Sequence, residues 1–266
     1  MGNSISRHDR TAAFITGGTS GIGCAYAEAF AARGYDLILV DLHVDQGATE
    51  QIDSIRKMHG VSAETLKADL SKENDIGMLE RFIGKRSDIC ALVNCAGFGL
   101  GMKFEDAELE KEDAMVKVHC LAPMNLMRAV LPQMRNRAQG VIINVASLGG
   151  FFPMARNSVY GGTKAFLIML TESLHLELKG SGIRVQVIAP GFVKTHFHDT
   201  IPKQTKKIDV RRLLKWMTAD QVVKASMRFL EKGKVVCIPG FGYKILRWVS
   251  MYVPRGLYYR LFGGAR

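Results

Sequence analysis

The chain has 266 residues, of which 47% are hydrophobic and 23% charged, so it can bury the core of a single α/β domain. Five cysteines without a C-x-x-C pair argue against a disulfide framework and predict a reducing, cytoplasmic setting. We find no secretory signal, no apolar run long enough to span a bilayer and no metal-ligand pattern. The net charge of +11 is concentrated in residues 200–266, which hold 15 lysines or arginines and three acids.

Short apolar or β-branched segments alternate with segments of helical length along the chain. The predicted strands are 12–16, 36–41, 62–69, 89–94, 140–146, 183–189 and 234–238. The predicted helices are 21–33, 46–58, 72–86, 107–136 and 158–179. Strands that alternate with helices form a parallel sheet that is covered on both faces. We therefore predict one α/β domain, with a core of about residues 10–240 and a C-terminal extension of about 241–266.

A glycine-rich turn, TGGTSGIG, follows the first predicted strand at residues 16–23. A helix begins inside this turn, so backbone N–H groups at the positive end of the helix could bind a pyrophosphate. Asp41 closes the next strand, where a carboxylate would accept hydrogen bonds from an adenine ribose. The alternative is a tight turn followed by an Asp that only caps a helix. The predicted dinucleotide site includes Gly17, Thr19, Ser20, Gly21, Ile22, Gly23 and Asp41.

Asp41 also bears on the choice of cofactor. Its carboxylate would repel the 2′-phosphate of NADP, and neither Ser20 nor Leu42 supplies a compensating positive charge. The sequence therefore favours NAD over NADP. His43, two residues further on, is the residue that could reverse this preference.

Tyr160 and Lys164 lie four residues apart in the segment SVYGGTKAF and share one face of a predicted helix. A phenol has a pKa of about 10, which is too high for an efficient base at neutral pH. A nearby ammonium group and an oxidised nicotinamide ring would lower the pKa of Tyr160. Tyr160 could then exchange a proton with an alcohol or a ketone, while Ser147 hydrogen-bonds the same substrate oxygen. Gly161 and Gly162 weaken this helix and predict a close approach by another backbone or by a ligand.

Five motifs, TGGTSGIG, NCAG (94–97), Ser147, YGGTK and PGFVKT (190–195), resemble those of the short-chain dehydrogenase/reductases in order and spacing. The resemblance covers about residues 10–195 and implies a Rossmann fold with a doubly wound, seven-stranded parallel sheet. It implies Tyr160 as the acid/base, Lys164 as the residue that binds the nicotinamide ribose, and Ser147 as the residue that orients substrate. It further implies a homodimer or homotetramer. The other cofactor-binding residues that it implies are Asp69, Leu70, Asn94, Ala96, Gly97, Pro190, Gly191, Val193 and Thr195.

One position departs from the family pattern. The family has an asparagine in the helix after NCAG, where it holds a water through which protons reach solvent, and this sequence has His119 there. Histidine could relay protons itself or hold the water differently. Alternatively, His119 is simply tolerated inside a packed helix. We include His119 among the candidate catalytic residues.

Apolar segments flank the predicted site at residues 98–104, 148–154, 192–198 and 213–216. We assign about half of these residues to packing, and the remainder predicts a pocket for an apolar, lipid-like alcohol or ketone. Long acyl chains, sterols and isoprenoids fit such a pocket better than sugars do.

The tail from residue 243 mixes aromatic and aliphatic residues with five basic residues, and contains no acid. Such a segment suits a helix in a membrane interface, broken near Pro254, or equally a helical extension that packs on its own subunit or on a second copy. The chain resembles a lipid-oriented branch of the family, which includes long-chain ketoacyl reductases and relatives of hydroxysteroid dehydrogenases and often carries basic, apolar C-terminal extensions. We expect no nucleic-acid binding because no DNA- or RNA-binding module accompanies the basic region. The amino terminus MGNSIS matches the N-myristoylation pattern at Gly2, which would add a second membrane signal.

The leading interpretation is an NAD-dependent oxidoreductase that interconverts a secondary alcohol and a ketone. One alternative is a dinucleotide-binding sensor or scaffold with little turnover. Another is a reductase of 3-oxoacyl groups that are carried by an acidic protein or by coenzyme A. The basic stretch 203–215 would attract such a negatively charged carrier.

Overall fold

The structure, a computed structural model, describes residues 11–195 and 214–262. Gly2, residues 196–198 of the third apolar segment and most of the basic stretch 203–215 lie outside the described residues. None of the helices within the described ranges is long and apolar enough to cross a membrane.

Seven parallel strands form one sheet in the order β3-β2-β1-β4-β5-β6-β7. The strands are β1 (Ala12–Thr16), β2 (Asp36–Asp41), β3 (Ala63–Lys67), β4 (Ile89–Asn94), β5 (Gly140–Val145), β6 (Ile183–Ile188) and β7 (Val236–Cys237). Strands β1, β4 and β5 are buried along their whole length, as expected of strands covered by helices on both faces. The doubly wound, seven-stranded Rossmann sheet is therefore confirmed.

Helices cover the two faces of the sheet. They are α1 (Gly21–Ala31), α2 (Gln46–His59), α3 (Glu73–Gly84), α4 (Leu109–Val116), α5 (Ala122–Asn136), α6 (Ser158–Glu177), α7 (Ala219–Glu231), α8 (Phe241–Tyr252) and α9 (Arg255–Phe262). The apolar residues of α1, α2 and α7 pack on one face of the sheet, in one core cluster. Those of α3 and α5 pack on the other face, together with Leu174 and Leu178 at the end of α6.

Strand order reverses between β1 and β4, and this switch point opens a crevice at the carboxyl ends of the strands. The hydroxyl of Thr16, the last residue of β1, accepts hydrogen bonds from the N–H groups of Cys95 (3.0 Å) and Ala96 (3.2 Å). These bonds fix the chain that leaves β4 beside the glycine-rich turn that leaves β1. The turns that line the crevice are therefore held together at its base.

The predicted helix 107–136 is interrupted, and this part of the prediction was wrong. Residues Lys117–Leu121 form a π-helical turn between α4 and α5, in which the N–H of Ala122 bonds to the carbonyl of Lys117. Pro123 explains the interruption, because it has no N–H to donate to the carbonyl of His119, four residues earlier. The π turn contains His119, which is the position where the family pattern is broken.

Four predicted strands are shorter in the structure than in the sequence analysis, β5 and β6 by one residue each and β3 and β7 by three. Strand β3 spans Ala63–Lys67 rather than 62–69, and β7 spans Val236–Cys237 rather than 234–238. The β7 ladder is short because β7 pairs with β6 only through Val187 and Ile188.

Candidate active site

The glycine-rich turn leaves β1 and enters α1 with little free space around its backbone. Gly17 and Gly21 have positive φ angles of 62° and 52°, a conformation that favours glycine. A Cβ atom on Gly23 would collide with the carbonyl oxygen of Gly17, so the first turn of α1 lies directly on the loop. Ser20 is the N-cap of α1 but makes no side-chain cap bond, which leaves backbone N–H groups at this end available to an anion. This cradle fits a pyrophosphate.

Asp41 is fixed at the end of β2 by its neighbours. Its Oδ2 accepts a hydrogen bond from the Thr19 hydroxyl at 2.6 Å, and its Oδ1 accepts one from the N–H of Leu42 at 2.9 Å. The carboxylate also lines the crevice. Asp41 therefore lies next to the glycine-rich turn, as the pattern predicted, and Thr19 contributes by orienting Asp41 rather than by lining the crevice.

The crevice is a cavity of about 590 Å³ that runs from the glycine-rich turn to Tyr160. The structure brings sixteen of the predicted site residues to its wall: Gly17, Ser20, Gly21, Ile22, Asp41, Asp69, Leu70, Ala96, Gly97, Ser147, Tyr160, Lys164, Pro190, Gly191, Val193 and Thr195. Four others do not line it: Thr19, Gly23, Asn94 and His119. These four support the residues that do.

Sequence reasoning left several lining residues out of the predicted site, among them Cys95 and Val118. Cys95 lies inside the NCAG motif, so its position between predicted site residues was an available signal. Phe98 opens the apolar segment 98–104, which the sequence analysis placed beside the site, and it does line the cavity. Val118 lies in the π turn, and no pattern in the sequence predicted its direction. His43, which the sequence analysis named only as a residue that could reverse the preference for NAD, also lines the cavity.

Asn94 is buried beneath the site and joins two strands. Its side-chain N–H donates to Oδ1 of Asn144 at 2.8 Å, and Asn144 in turn donates to the hydroxyl of Thr171 at 2.9 Å. This network ties β4, β5 and α6 together. Asn94 therefore holds the strands that carry the site and does not reach the cavity.

Ser147, Tyr160 and Lys164 meet at one end of the cavity. Ser147 follows β5, and its hydroxyl is hydrogen-bonded with Tyr160. The Nζ of Lys164 lies 5.7 Å from the centroid of the Tyr160 ring and donates a hydrogen bond to the carbonyl of Val145 at 3.1 Å. An alcohol or ketone oxygen placed between Ser147 and Tyr160 would therefore have two hydroxyl partners.

The ionisation of this group differs from the sequence prediction. Burial raises the pKa of Tyr160, and the hydrogen bond with Ser147 opposes the rise. Burial also lowers the pKa of Lys164 from its ordinary 10.5 to about 8. The lowering predicted for Tyr160 depends partly on the positive charge of an oxidised nicotinamide ring, which the protein itself does not carry.

His119 is 1% exposed and has protein partners at both ring nitrogens. Its Nε2 accepts a hydrogen bond from the N–H of Phe98 at 3.1 Å, so the ring proton lies on Nδ1, which is 3.0 Å from the Thr163 hydroxyl. Burial, and then the charge of Lys164, hold the pKa of His119 well below its usual range. These contacts suit a neutral histidine that fixes the Phe98 backbone. The relay hypothesis stays a prediction.

The two glycines of the Tyr160 helix differ in their surroundings. A Cβ atom on Gly161 would lie 3.3 Å from the carbonyl oxygen of Gly149, so the short turn after Ser147 does approach the helix closely. A Cβ atom on Gly162 would meet no described atom within 4 Å. The expected close approach thus accounts for Gly161 but not for Gly162.

Most of the apolar segments around the site pack on the C-terminal helices rather than line the cavity. Tyr243 of α8 belongs to a core cluster with Leu148, Ala189 and Ile238, against which Phe151, Phe152, Phe192 and Leu214 pack. Phe98 is the aromatic residue of these segments that lines the cavity. Among the described residues of these segments, fewer therefore line the cavity than the sequence suggested.

Comparisons with known proteins agree with this geometry. A family model for short chain dehydrogenases matches residues 11–206. An uncharacterized oxidoreductase of Staphylococcus epidermidis is 34% identical over 216 residues, which are 80% of this chain and 89% of that protein. A very-long-chain 3-oxoacyl-CoA reductase of Rattus norvegicus is 34% identical over 191 residues, which are 69% of this chain and 59% of that protein.

A solved short-chain dehydrogenase from Sphingobium yanoikuyae, in complex with NADPH, has the same fold. It aligns with a TM-score of 0.79 and 32% identity, and the alignment covers 96% of each chain. The chain therefore belongs to the short-chain dehydrogenase family of NAD(P)-dependent oxidoreductases.

Proposed function

We propose that the protein interconverts a secondary alcohol and a ketone on an apolar, lipid-like substrate, with NAD as the cofactor. The observation that carries this proposal is the meeting of Ser147, Tyr160 and Lys164 at one end of a cavity whose other end holds Asp41 and the glycine-rich turn. A dinucleotide that extends along this cavity would bring its nicotinamide ring to the three side chains.

A bound nicotinamide would supply or accept the hydride, and residues of the chain would transfer the proton. Tyr160 exchanges a proton with the substrate oxygen, while the Ser147 hydroxyl hydrogen-bonds that oxygen and stabilises the charge that develops on it. Lys164, held by the carbonyl of Val145, is close enough to favour the phenolate when it is charged. Phe98 and Val118 give part of the cavity wall an apolar surface.

A Tyr160→Phe substitution tests the reaction. A panel of steroidal, long-chain and polyol alcohols is oxidised with NAD while the absorbance of the reduced ring is followed. We expect turnover of the apolar alcohols to fall at least about 100-fold, because the proton carrier is lost, with NADH binding retained. Unchanged turnover in the variant, or polyols as the better substrates, would contradict the proposal. NADH binding without any turnover of the wild type would instead support the sensor or scaffold alternative.

The preference for NAD is supported by the charges around the cavity. Among its described lining residues, the only lysine or arginine is Lys164, which lies at the nicotinamide end, far from Asp41. A 2′-phosphate beside Asp41 would therefore meet a carboxylate without a compensating cation. His43 lines the same end and could supply a positive charge only when protonated. The Sphingobium relative binds NADPH, so this preference needs a direct comparison of the two cofactors.

A reductase of carrier-bound 3-oxoacyl groups is the second candidate. The name of the rat relative favours it, and the chemistry at Ser147 and Tyr160 would be the same in the reverse direction. Inhibition by salt of the reduction of a 3-oxoacyl-coenzyme A, but not of a neutral 3-oxoacyl ester, would support recognition of the carrier by the basic C-terminal quarter.

We further propose that the protein forms homo-oligomers through α5 and α6. Exposed Phe166, Met169 and Leu176 lie on α6 and support this assignment. A monomer in sedimentation at micromolar concentration would contradict it.

We also propose that α8 and α9 attach the protein peripherally to an anionic membrane surface. Phe241, Ile245, Trp248 and Tyr252 recur at helical spacing along one side of α8 and are 79%, 47%, 62% and 65% exposed. Exposed Lys244 and Arg255 accompany them, and the sequence has no acid after residue 231. An apolar stripe next to positive charge is complementary to an anionic lipid surface.

Vesicle co-sedimentation tests this attachment. The wild type should pellet with vesicles that contain phosphatidylserine and much less with phosphatidylcholine alone, and a Phe241→Ser, Trp248→Ser double variant should remain in the supernatant. A Met58→Ser, Leu109→Ser double variant is the matched control, because these residues are 68% and 65% exposed on other helices. If the α8 variant changes only the oligomeric state, the stripe is an interface between copies and the membrane proposal is wrong.

A further inference from the structure

Tyr243 of α8 takes no part in the proposed reaction. It contacts the segment that forms the cavity wall at the nicotinamide end of the proposed site. Its side chain is 3% exposed, and its ring occupies the space that a Cβ atom on Gly191 would need. Only a glycine at position 191 lets the ring lie this close to the backbone of the cavity wall.

The hydroxyl of Tyr243 joins two stretches of chain. It accepts a hydrogen bond from the N–H of Phe192 at 3.0 Å and donates one to the carbonyl of Lys215 at 3.2 Å. The same stretches are linked by a bridge, in which the N–H of Lys194 donates to the carbonyl of Met217 at 2.8 Å. Tyr243 therefore fixes both the position of residues 191–194 and their distance from 215–217.

This fixed segment reaches the glycine-rich turn. Thr195 follows directly, and its Cγ2 atom lies 3.2 Å from where a Cβ atom on Gly21 would be. A displacement at Gly191 or Phe192 would thus move the wall opposite the glycine-rich turn. Residues Pro190, Gly191, Val193 and Thr195 all line the cavity.

We propose that Tyr243 is a positioning residue for cofactor binding: its ring and hydroxyl hold residues 190–195 at the nicotinamide end of the cavity. This proposal rests on the proposed function only in assigning that end to nicotinamide. It connects α8, whose other side carries the exposed apolar stripe, to the cofactor site through one side chain.

A Tyr243→Phe substitution keeps the ring and removes both hydrogen bonds. We expect the dissociation constant for NADH, measured by fluorescence titration, to rise about five- to tenfold, because the N–H of Phe192 loses its partner. The matched control is Tyr258→Phe, which removes another buried hydroxyl that donates to the carbonyl of Pro153 at 2.7 Å, away from residues 190–195. The control should bind NADH within about twofold of the wild type.

Equal NADH affinity in the Tyr243→Phe variant and the wild type, or equal losses in both variants, would overturn the proposal. A second pair of variants covers the case in which Tyr243→Phe fails to fold. Gly191→Ala should weaken NADH binding by pushing residue 191 off the ring, and adding Tyr243→Leu should restore part of the affinity. Absence of that recovery would count against the proposal. These binding measurements need no turnover, so a failure of the proposed reaction would be seen separately.

Discussion

The two ends of the cavity are held by different kinds of contact. At the nucleotide end, backbone lies directly on backbone: α1 packs on Gly17 through Gly23, and Thr16 ties the turns after β1 and β4. At the substrate end, side chains from distant segments hold the loops: Tyr243 binds residue 192, and Tyr258 binds residue 153. The first end is held mainly by close backbone packing around glycines, with the Thr16 hydroxyl, and the second mainly by the hydroxyls of two tyrosines.

This difference predicts where substitutions are tolerated. A methyl group added at the nucleotide end has no room, whereas a hydroxyl removed at the substrate end weakens a contact without filling space. Four substitutions test the contrast, beginning with the largest expected effect.

Gly23→Ala should have the largest effect. The added Cβ would collide with the carbonyl of Gly17, so either α1 or the turn must move. We expect the free energy of unfolding to fall by about 3 kcal/mol and NADH affinity to fall at least about tenfold. Gly162→Ala is the matched control, since the added Cβ meets no described atom within 4 Å and should stabilise α6 by up to about 1 kcal/mol. Similar free energies of unfolding for the two variants would contradict the proposed close packing at the nucleotide end.

Lys164, which lies with Tyr160 at the substrate end, should make the free energy of unfolding depend on pH in the alkaline range. Its pKa falls from 10.5 to about 8 on folding, so this side chain binds more protons in the unfolded state between these values, and its own contribution to stability rises with pH across this window. In Lys164→Met this rise should be smaller by roughly 3 kcal/mol, measured by urea unfolding from pH 7.5 to 10.5. Lys179→Met, which removes an exposed lysine, should keep the wild-type slope. Parallel curves for Lys164→Met and the wild type would contradict the assignment.

Asp41→Asn tests whether the nucleotide end selects between NAD and NADP. Removal of the negative charge relieves repulsion of a 2′-phosphate, so the ratio of kcat/KM for NAD to that for NADP should fall about tenfold. Asp45→Asn is the control, because Asp45 caps α2 at 2.7 Å from the N–H of Ala48 and does not line the cavity. A ratio that does not move in the Asp41 variant would mean that the carboxylate does not select the cofactor.

His119→Asn should have the smallest effect. Because both ring nitrogens of His119 already have protein partners, we expect turnover within about threefold of the wild type and an unchanged dependence of kcat on pH. A shifted pH profile would instead support the proton relay.

The sequence predicted the nucleotide end better than the substrate end, for a physical reason. Strand, glycine-rich turn, helix and Asp41 follow one another within about 30 residues, so their local pattern carries their geometry. The π turn at Lys117–Leu121 was missed although Pro123 signalled it. About half of the residues in the apolar segments around the site were assigned to packing and the rest to the pocket, because nothing local shows that Phe192 packs against Tyr243.

The bond between Tyr258 and Pro153 joins residues that are 105 positions apart, and its donor lies in the last described helix. A contact between residues this far apart in the chain forms late in folding, because the entropy of closing the long intervening loop must be overcome first. The loop after Ser147 therefore gains this tether only when α9 docks.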